Sequence, residues 1–387
     1  MAIAGVARNS GGRSRPVAPD IALYSGFAAT GVGCALPGAL LPTLLIEWRF
    51  DDHHAGTLFF LIWVGSSIGA LTMQKDLRSS ITLGSILTAL SAFGLALAAK
   101  NLILPLVLLY GLGLGMTMTS ISLLRQRSHV PSVELVRLNL MWALGACLCP
   151  ILMTHALRIS SSRQVLLVLA TFFAALSFWV LLFQQPVERL RPETASHKSS
   201  WLGIRVIPLS LVIMTMLVTG IEASGGAWLA TYAHRMQHGG LAITIGAPTC
   251  LWTGLLCSRL LGWLPNAEEN LRRWFPGLLL IVAISTVALV ADFNSTALLL
   301  SAFLLGIGLG PLYPIMLARV MAFQETGTIF LLAGISAAVM PWLTGTVSAH
   351  FASLRAGFTV IAAGALILLL LGLRSNAQYR SAETRLS

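Results

Sequence analysis

The sequence predicts an all-α membrane protein: twelve transmembrane helices in two pseudo-symmetric six-helix bundles. Composition, segmentation and the placement of charge lead to it. Hydrophobic residues make up 56% of the 387 and charged residues 10%, with a mean hydropathy of +0.82. A soluble domain carries about 25% charge, so this chain has too few charges to cover a water-facing surface. A membrane-crossing helix takes about 20 mostly apolar residues, and the chain has room for a dozen joined by short loops.

Apolar runs bounded by Gly, Pro and charged clusters place the helices. The first six are expected at 21–46, 56–73, 81–99, 102–124, 137–157 and 164–183, behind a polar tail at 1–20. A polar linker, 184–204, follows. The second six are expected at 205–233, 241–261, 275–291, 297–319, 327–349 and 355–373, ahead of a tail at 374–387. Pro248 interrupts 241–261, which reads either as a continuous helix or as a broken, partly re-entrant one.

Charge placement sets the orientation. With both termini on one side, 19 of the 25 Lys and Arg residues fall on that side and 6 on the other. Basic residues gather in cytoplasmic loops, so both tails and the linker are expected in the cytoplasm of a multi-pass protein of the cytoplasmic membrane. The net charge of +11 then follows from topology and attraction to anionic lipid, and a nucleic-acid partner is not expected. The basic start has no cleavable signal pattern. The five cysteines, Cys34, Cys147, Cys149, Cys250 and Cys257, lie in or beside apolar segments without a CxxC pair and read as small core residues.

An internal echo relates the halves. GLGLG (111–115) precedes Arg125 at the end of the fourth helix, and GIGLG (306–310) precedes Arg319 at the end of the tenth. Small residues let helices approach closely in lipid.

Six segments stand out beside this repeat: LPGALLPTL (36–44), AGTLFFLIWVGSSIGAL (55–71), LNLMWALGACLCP (138–150), GIEASGGAWLATYAHR (220–235), LWTGLLCSRLLG (251–262) and GIGLGPLYPIML (306–317). The chain resembles the major facilitator superfamily over nearly its whole length. These segments are similar to the fucose–galactose–glucose permease branch and the related sodium-dependent glucose transporters. The resemblance implies the major facilitator fold and a monomer. It also implies secondary active or facilitative transport of a small polar solute, a hexose-like sugar, by alternating access, with symport driven by a proton or sodium gradient and no cofactor. The chain departs from the pattern twice. GALTMQKDLRSS (69–80) keeps only fragments of the superfamily's loop between helices two and three. The carboxylates that the fucose permease carries in helices one and four are absent: 21–46 has no acid before Glu47, and 102–124 has none.

Several residues are candidates for the site. Glu222 is the only acid well inside an expected helix, where an unpaired charge is expensive. It reads as a ligand for substrate hydroxyls, a proton or sodium, or as a structural acid pinning helix seven. Its small-residue setting, GIEASGG, would let that helix open. Trp228 and Tyr232, four apart, share a helical face and read as a sugar-stacking wall or as an interfacial aromatic belt. Asn139 and Trp142 place an amide and an indole on one side of helix five, for substrate or for an interhelical hydrogen bond. Tyr313, between Pro311 and Pro314, lies at a broken helix or packs beside a kink. Trp252 and Trp342 read as packing. Arg125 and Arg319 are gating candidates, switching salt bridges with acids such as Glu134 or Glu325, or serve as positive-inside anchors. His53 and His54 beside Asp51 and Asp52 read as a solvated turn ahead of a metal site.

No phosphate loop, metal-spaced Cys/His set or catalytic carboxylate pair appears, and an enzyme is not expected. A lipid-linked transferase would need a polar catalytic loop, and 184–204 has no such constellation. An exporter of drugs or amphipathic compounds is the alternative: one acid among several Trp residues also suits an amphipathic cation.

Overall fold

The computed structural model describes residues 17–72, 76–97, 100–128, 131–182, 207–236, 240–260, 267–291, 294–321 and 328–386. Among the described residues are twelve α-helices and one short 3-10 turn, Lys100–Leu102. The first half comprises α1 (Val17–Trp48), α2 (Asp52–Leu71), α3 (Leu77–Leu97), α4 (Ile103–Ser128), α5 (Pro131–Ile159) and α6 (Ser162–Leu182). The second comprises α7 (Leu209–Met236), α8 (Gly240–Leu260), α9 (Ala267–Ala291), α10 (Ser295–Met321), α11 (Thr328–Phe351) and α12 (Leu354–Leu386). All twelve are long and apolar enough to cross a membrane. The expected linker at 184–204 lies outside the described residues.

Boundaries differ from expectation mainly where polar residues still favour a helix. α12 runs on to Leu386 because RSNAQYRSAETR contains good helix formers and no Gly or Pro. α8 is one continuous helix through Pro248, so the broken reading of 241–261 does not hold. A single proline removes one ladder hydrogen bond, and neighbouring helices tolerate that in a packed bundle.

The repeat is visible in the packing. In the first half α2 packs on α4, α3 on α4 and α6, and α1 on α5 and α6. Adding six to each number gives contacts of the second half: α8 on α10, α9 on α10 and α12, and α7 on α11 and α12. Between halves, α2 meets α11 and α5 meets α8. Those two pairings are one contact seen twice under the same shift, and α1 against α7 lies between them. This is a pseudo-two-fold arrangement of parallel repeats.

The glycine echo has a physical reason in this packing. A β-carbon on Gly111 would collide with the Ile62 carbonyl of α2, and one on Gly306 with the Leu251 carbonyl of α8. In each half the echoed glycine lets two backbones touch. We expect Gly111→Val to destabilise the protein by about 3 kcal/mol or more, because a backbone carbonyl cannot move aside as a side chain can. Gly277→Val is the control, since a β-carbon there meets nothing within 4 Å. Thermal midpoint and monodispersity in detergent check the pair.

The outer surface is apolar. Leu90, Val168, Phe178, Ile284, Leu300 and Leu370 are all more than half exposed, as residues facing lipid are. Many hydroxyls inside the helices close back on the preceding turn, as Thr88 does on the Gly84 carbonyl, Thr215 on Leu211 and Thr344 on Met340. That satisfies them without water.

Candidate functional site: a buried charge pair and a closed face

Glu222 sits at the middle of α7. Its partner is Arg259 from the last turn of α8, with Nη2 at 3.4 Å from Oε1. The side chains are only 14% and 8% exposed. Ion pairs with good geometry close to about 2.7–2.9 Å, so this one is loose. A second long contact, at 3.4 Å, runs from Arg259 Nη1 to the Asn139 carbonyl on α5. The guanidinium lies over the Trp142 ring at 5.4 Å, and Trp142 meets Trp252 of α8 edge-on at 5.6 Å. Tyr313 on α10 is within electrostatic reach of both charges, and Cys34 on α1 faces the Trp142 indole.

Four sequence candidates thus gather with Arg259 at one place: Asn139, by its backbone carbonyl, and Trp142 from the first half, and Glu222 and Tyr313 from the second; Trp252, read from the sequence as packing, joins them. Arg259 lies inside the expected helix 241–261, at the end on the side of the tails, and is buried there against Glu222. The signal available was its flank, since LLCSRLLG keeps apolar residues on both sides of it.

Two local expectations need correction. GIEASGG does not open: α7 is unbroken, and its glycines make room for neighbours instead. A β-carbon on Gly226 would strike the Trp252 ring, and one on Gly220 would strike Met340 and Ser336. α10 likewise stays helical through Pro311 and Pro314.

Trp228 and Tyr232 do share a face of α7, and both are fully buried. The Trp228 indole donates to the Pro341 carbonyl of α11 at 2.9 Å, with Phe59 of α2 beside it. The Tyr232 hydroxyl donates to the Leu289 carbonyl of α9 at 2.6 Å, and its ring lies 4.1 Å from that of Phe358 on α12. A helix surrounded on all sides has no face at the membrane interface, so the aromatic-belt reading does not hold, and both polar groups are committed to carbonyls.

The end of the bundle where α1 finishes and α2 begins is closed by contacts between halves. Asp52, the first residue of α2, is 7% exposed. It accepts two hydrogen bonds from Arg235 in the last turn of α7, at 2.7 and 2.6 Å, and one from Ser348 near the end of α11 at 2.5 Å. His53 reaches Thr346 at 3.3 Å, and Gly56 leaves room only for the Trp342 backbone. Asp51 caps α2, accepting from the His54 backbone N–H at 2.8 Å and from its ring at 2.6 Å. Partial burial pushes the Asp51 carboxyl up, but the hydrogen bonds and charge of His54 outweigh it and hold the group below the usual carboxylate range. Its contribution is therefore present above the ordinary carboxylate pKa and is lost as pH falls. The solvated-turn reading fits Asp51 and misses Asp52. No trio of His, Cys, Asp or Glu that could hold a metal occurs among the described residues.

At the opposite face the two echoed arginines stack on aromatic rings. Arg125 donates to the Tyr24 hydroxyl at 2.8 Å and lies 4.6 Å from that ring. Arg319 lies 4.2 Å from the Phe275 ring. Tyr24 and Phe275 each belong to the half of the arginine they meet. Glu325 lies outside the described residues, as does the Glu134 side chain. In the loop between α2 and α3, Asp76 caps α3: the Ser79 hydroxyl at 2.5 Å and the Arg78 backbone N–H at 3.1 Å hold its carboxyl low.

Twelve helices in two six-helix bundles, with paired interfaces between the halves, define the major facilitator fold in an integral multi-pass membrane protein. Solved structures of that fold match closely in shape. A nucleoside transporter, NupG, superposes with a TM-score of 0.73 at 13% identity, covering 94% of this chain and 98% of that one. An inward-facing, unoccupied bacterial homologue of the human lysosomal transporter Spinster gives 0.67 at 13%, covering 93% and 95%. A POT family transporter in complex with 5-aminolevulinic acid gives 0.67 at 15%, covering 94% and 96%. At such identities the likeness concerns the fold. No family model matches the sequence, and no curated protein matches it.

Proposed function

We propose that this protein is a secondary transporter that carries a small polar solute across the cytoplasmic membrane by alternating access, acting as a monomer with both tails cytoplasmic. The observation that carries this is the Glu222–Arg259 pair, buried where helices of both halves meet and walled by Trp142 and Trp252. A charge pair kept loose in a low-dielectric site is costly for stability alone and is well suited to rearranging around a ligand. A hexose-like sugar is the first substrate class to test: the indoles offer ring surfaces, and Glu222, Arg259 and Tyr313 offer acceptors and donors for hydroxyls. The solutes named for two of the similar structures, nucleosides and 5-aminolevulinic acid, are likewise small and polar. The Asp52–Arg235–Ser348 contact is the gate opposite the tails.

The test is uptake of labelled glucose, galactose and fucose into proteoliposomes, each without a gradient and with a proton or a sodium gradient. Saturable uptake of one sugar is expected. Failure of all three and of their acid derivatives, with folded protein, favours export of amphipathic compounds. A groove of about 340 Å³ between α5 and α8, lined by Ile151, His155, Thr249 and Cys250 among others, favours that second reading, since it gives an amphipathic molecule a lateral route between the halves.

A further inference from the structure

We propose that the solute bound at the Glu222–Arg259 site carries a carboxylate, as a sugar acid does, and crosses with one proton held by Glu222. This rests on the transport reading above and narrows its substrate class. Arg259 has five N–H donors, yet its contacts to Glu222 and to the Asn139 carbonyl are both 3.4 Å long, and its buried Nε–H has no partner. The buried Trp142 indole N–H, on the ring the guanidinium covers, makes no hydrogen bond of good geometry. It faces the Cys34 thiol, a weak acceptor. Buried donors without strong acceptors are costly, and here two lie within one cation–π contact.

The missing partner is therefore an acceptor, and a planar guanidinium fork matches a carboxylate bidentately. Sugar hydroxyls satisfy single donors but give the guanidinium no reason to leave Glu222. A second anion beside an ionised Glu222 would leave uncompensated negative charge in a buried site. That charge vanishes when Glu222 takes a proton from the solution on the uptake side. Arg259 then holds the ligand carboxylate, and protonated Glu222 donates to a ligand oxygen. On the other side Glu222 releases the proton, re-forms its pair with Arg259 and expels the anion. One anion and one proton cross, with no net charge.

The experiment compares labelled glucuronate with labelled glucose in proteoliposomes, under an inside-alkaline pH gradient or a potassium diffusion potential. Glucuronate is expected to accumulate with the pH gradient and not with the potential. Arg259→Lys keeps the charge but loses the fork, and should raise the half-saturating glucuronate concentration by about tenfold or more while eluting as folded protein. Saturable glucose uptake that glucuronate does not compete overturns the carboxylate assignment and leaves transport standing. Accumulation driven by the potential overturns the proton pairing. Movement of neither solute, by folded protein, counts against both the inference and the sugar-class reading.

Discussion

Glu222→Gln is expected to abolish accumulation against a gradient while sparing exchange of labelled for unlabelled solute. Glutamine keeps the shape and hydrogen-bonding capacity of a protonated Glu222 but cannot release a proton or re-form the pair with Arg259. Substrate can therefore cross with its own gradient, and nothing couples it to another. The same change leaves Arg259 as an uncompensated buried cation, with a stability cost of about 3–5 kcal/mol. Glu222→Gln combined with Arg259→Gln removes both charges and should regain most of that loss while still failing to accumulate solute. Thermal midpoints of the two singles and the double separate the structural role of the pair from its coupling role. Unchanged concentrative uptake by Glu222→Gln would remove Glu222 from the mechanism.

Asp52→Asn should have the second large effect, at the face opposite the tails. Asp52 is buried and holds a two-toothed contact with Arg235 and a hydrogen bond from Ser348, so it ties α2 of one half to α7 and α11 of the other. Removing one partner of a fully buried pair costs about 3–5 kcal/mol. The Arg235 side chain is 39% exposed, so water stabilises it once released, and about 1–3 kcal/mol is the better expectation. A change of that size moves an equilibrium between two states by roughly 5- to 150-fold, here toward opening of this face. Ser348→Ala removes one neutral donor and should act in the same direction more weakly, and Arg235→Gln should resemble Asp52→Asn. The effect is on the balance of conformations, so it should appear as changed transport rate with folded, thermally competent protein.

These two sites differ in how much of them is legible before a structure exists. The helices are, because apolar runs near membrane length punctuated by Gly, Pro and charge leave few alternatives. The repeat is too: GLGLG and GIGLG sit at matching places, and the backbone contacts of Gly111 and Gly306 explain why glycine stands in both. Glu222 stands out as an acid where acids are expensive. Its partner does not, because Arg259 lies near a helix end, where a cation reads as ordinary positive-inside anchoring. The Asp52–Arg235 contact joins positions 183 apart, and the sequence offers only that α2 begins and α7 ends at the same face. Trp228 and Tyr232 show the limit of periodicity. Spacing places them on one face of α7, but the neighbours on every side decide that this face points at α11, α9 and α12 rather than at a ligand or at lipid.

The most direct test of alternating access needs no knowledge of the substrate. Spin labels at Ile46→Cys, at the end of α1, and Leu241→Cys, at the start of α8, report across the halves at the closed face; both positions are well exposed. With the five native cysteines replaced, pulsed dipolar spectroscopy should give a short distance for the closed state. A longer second population should grow when Asp52→Asn is added. A single unchanged distance in the parent and in Asp52→Asn would mean that the two bundles do not move about this contact, and would contradict transport by opening of this face.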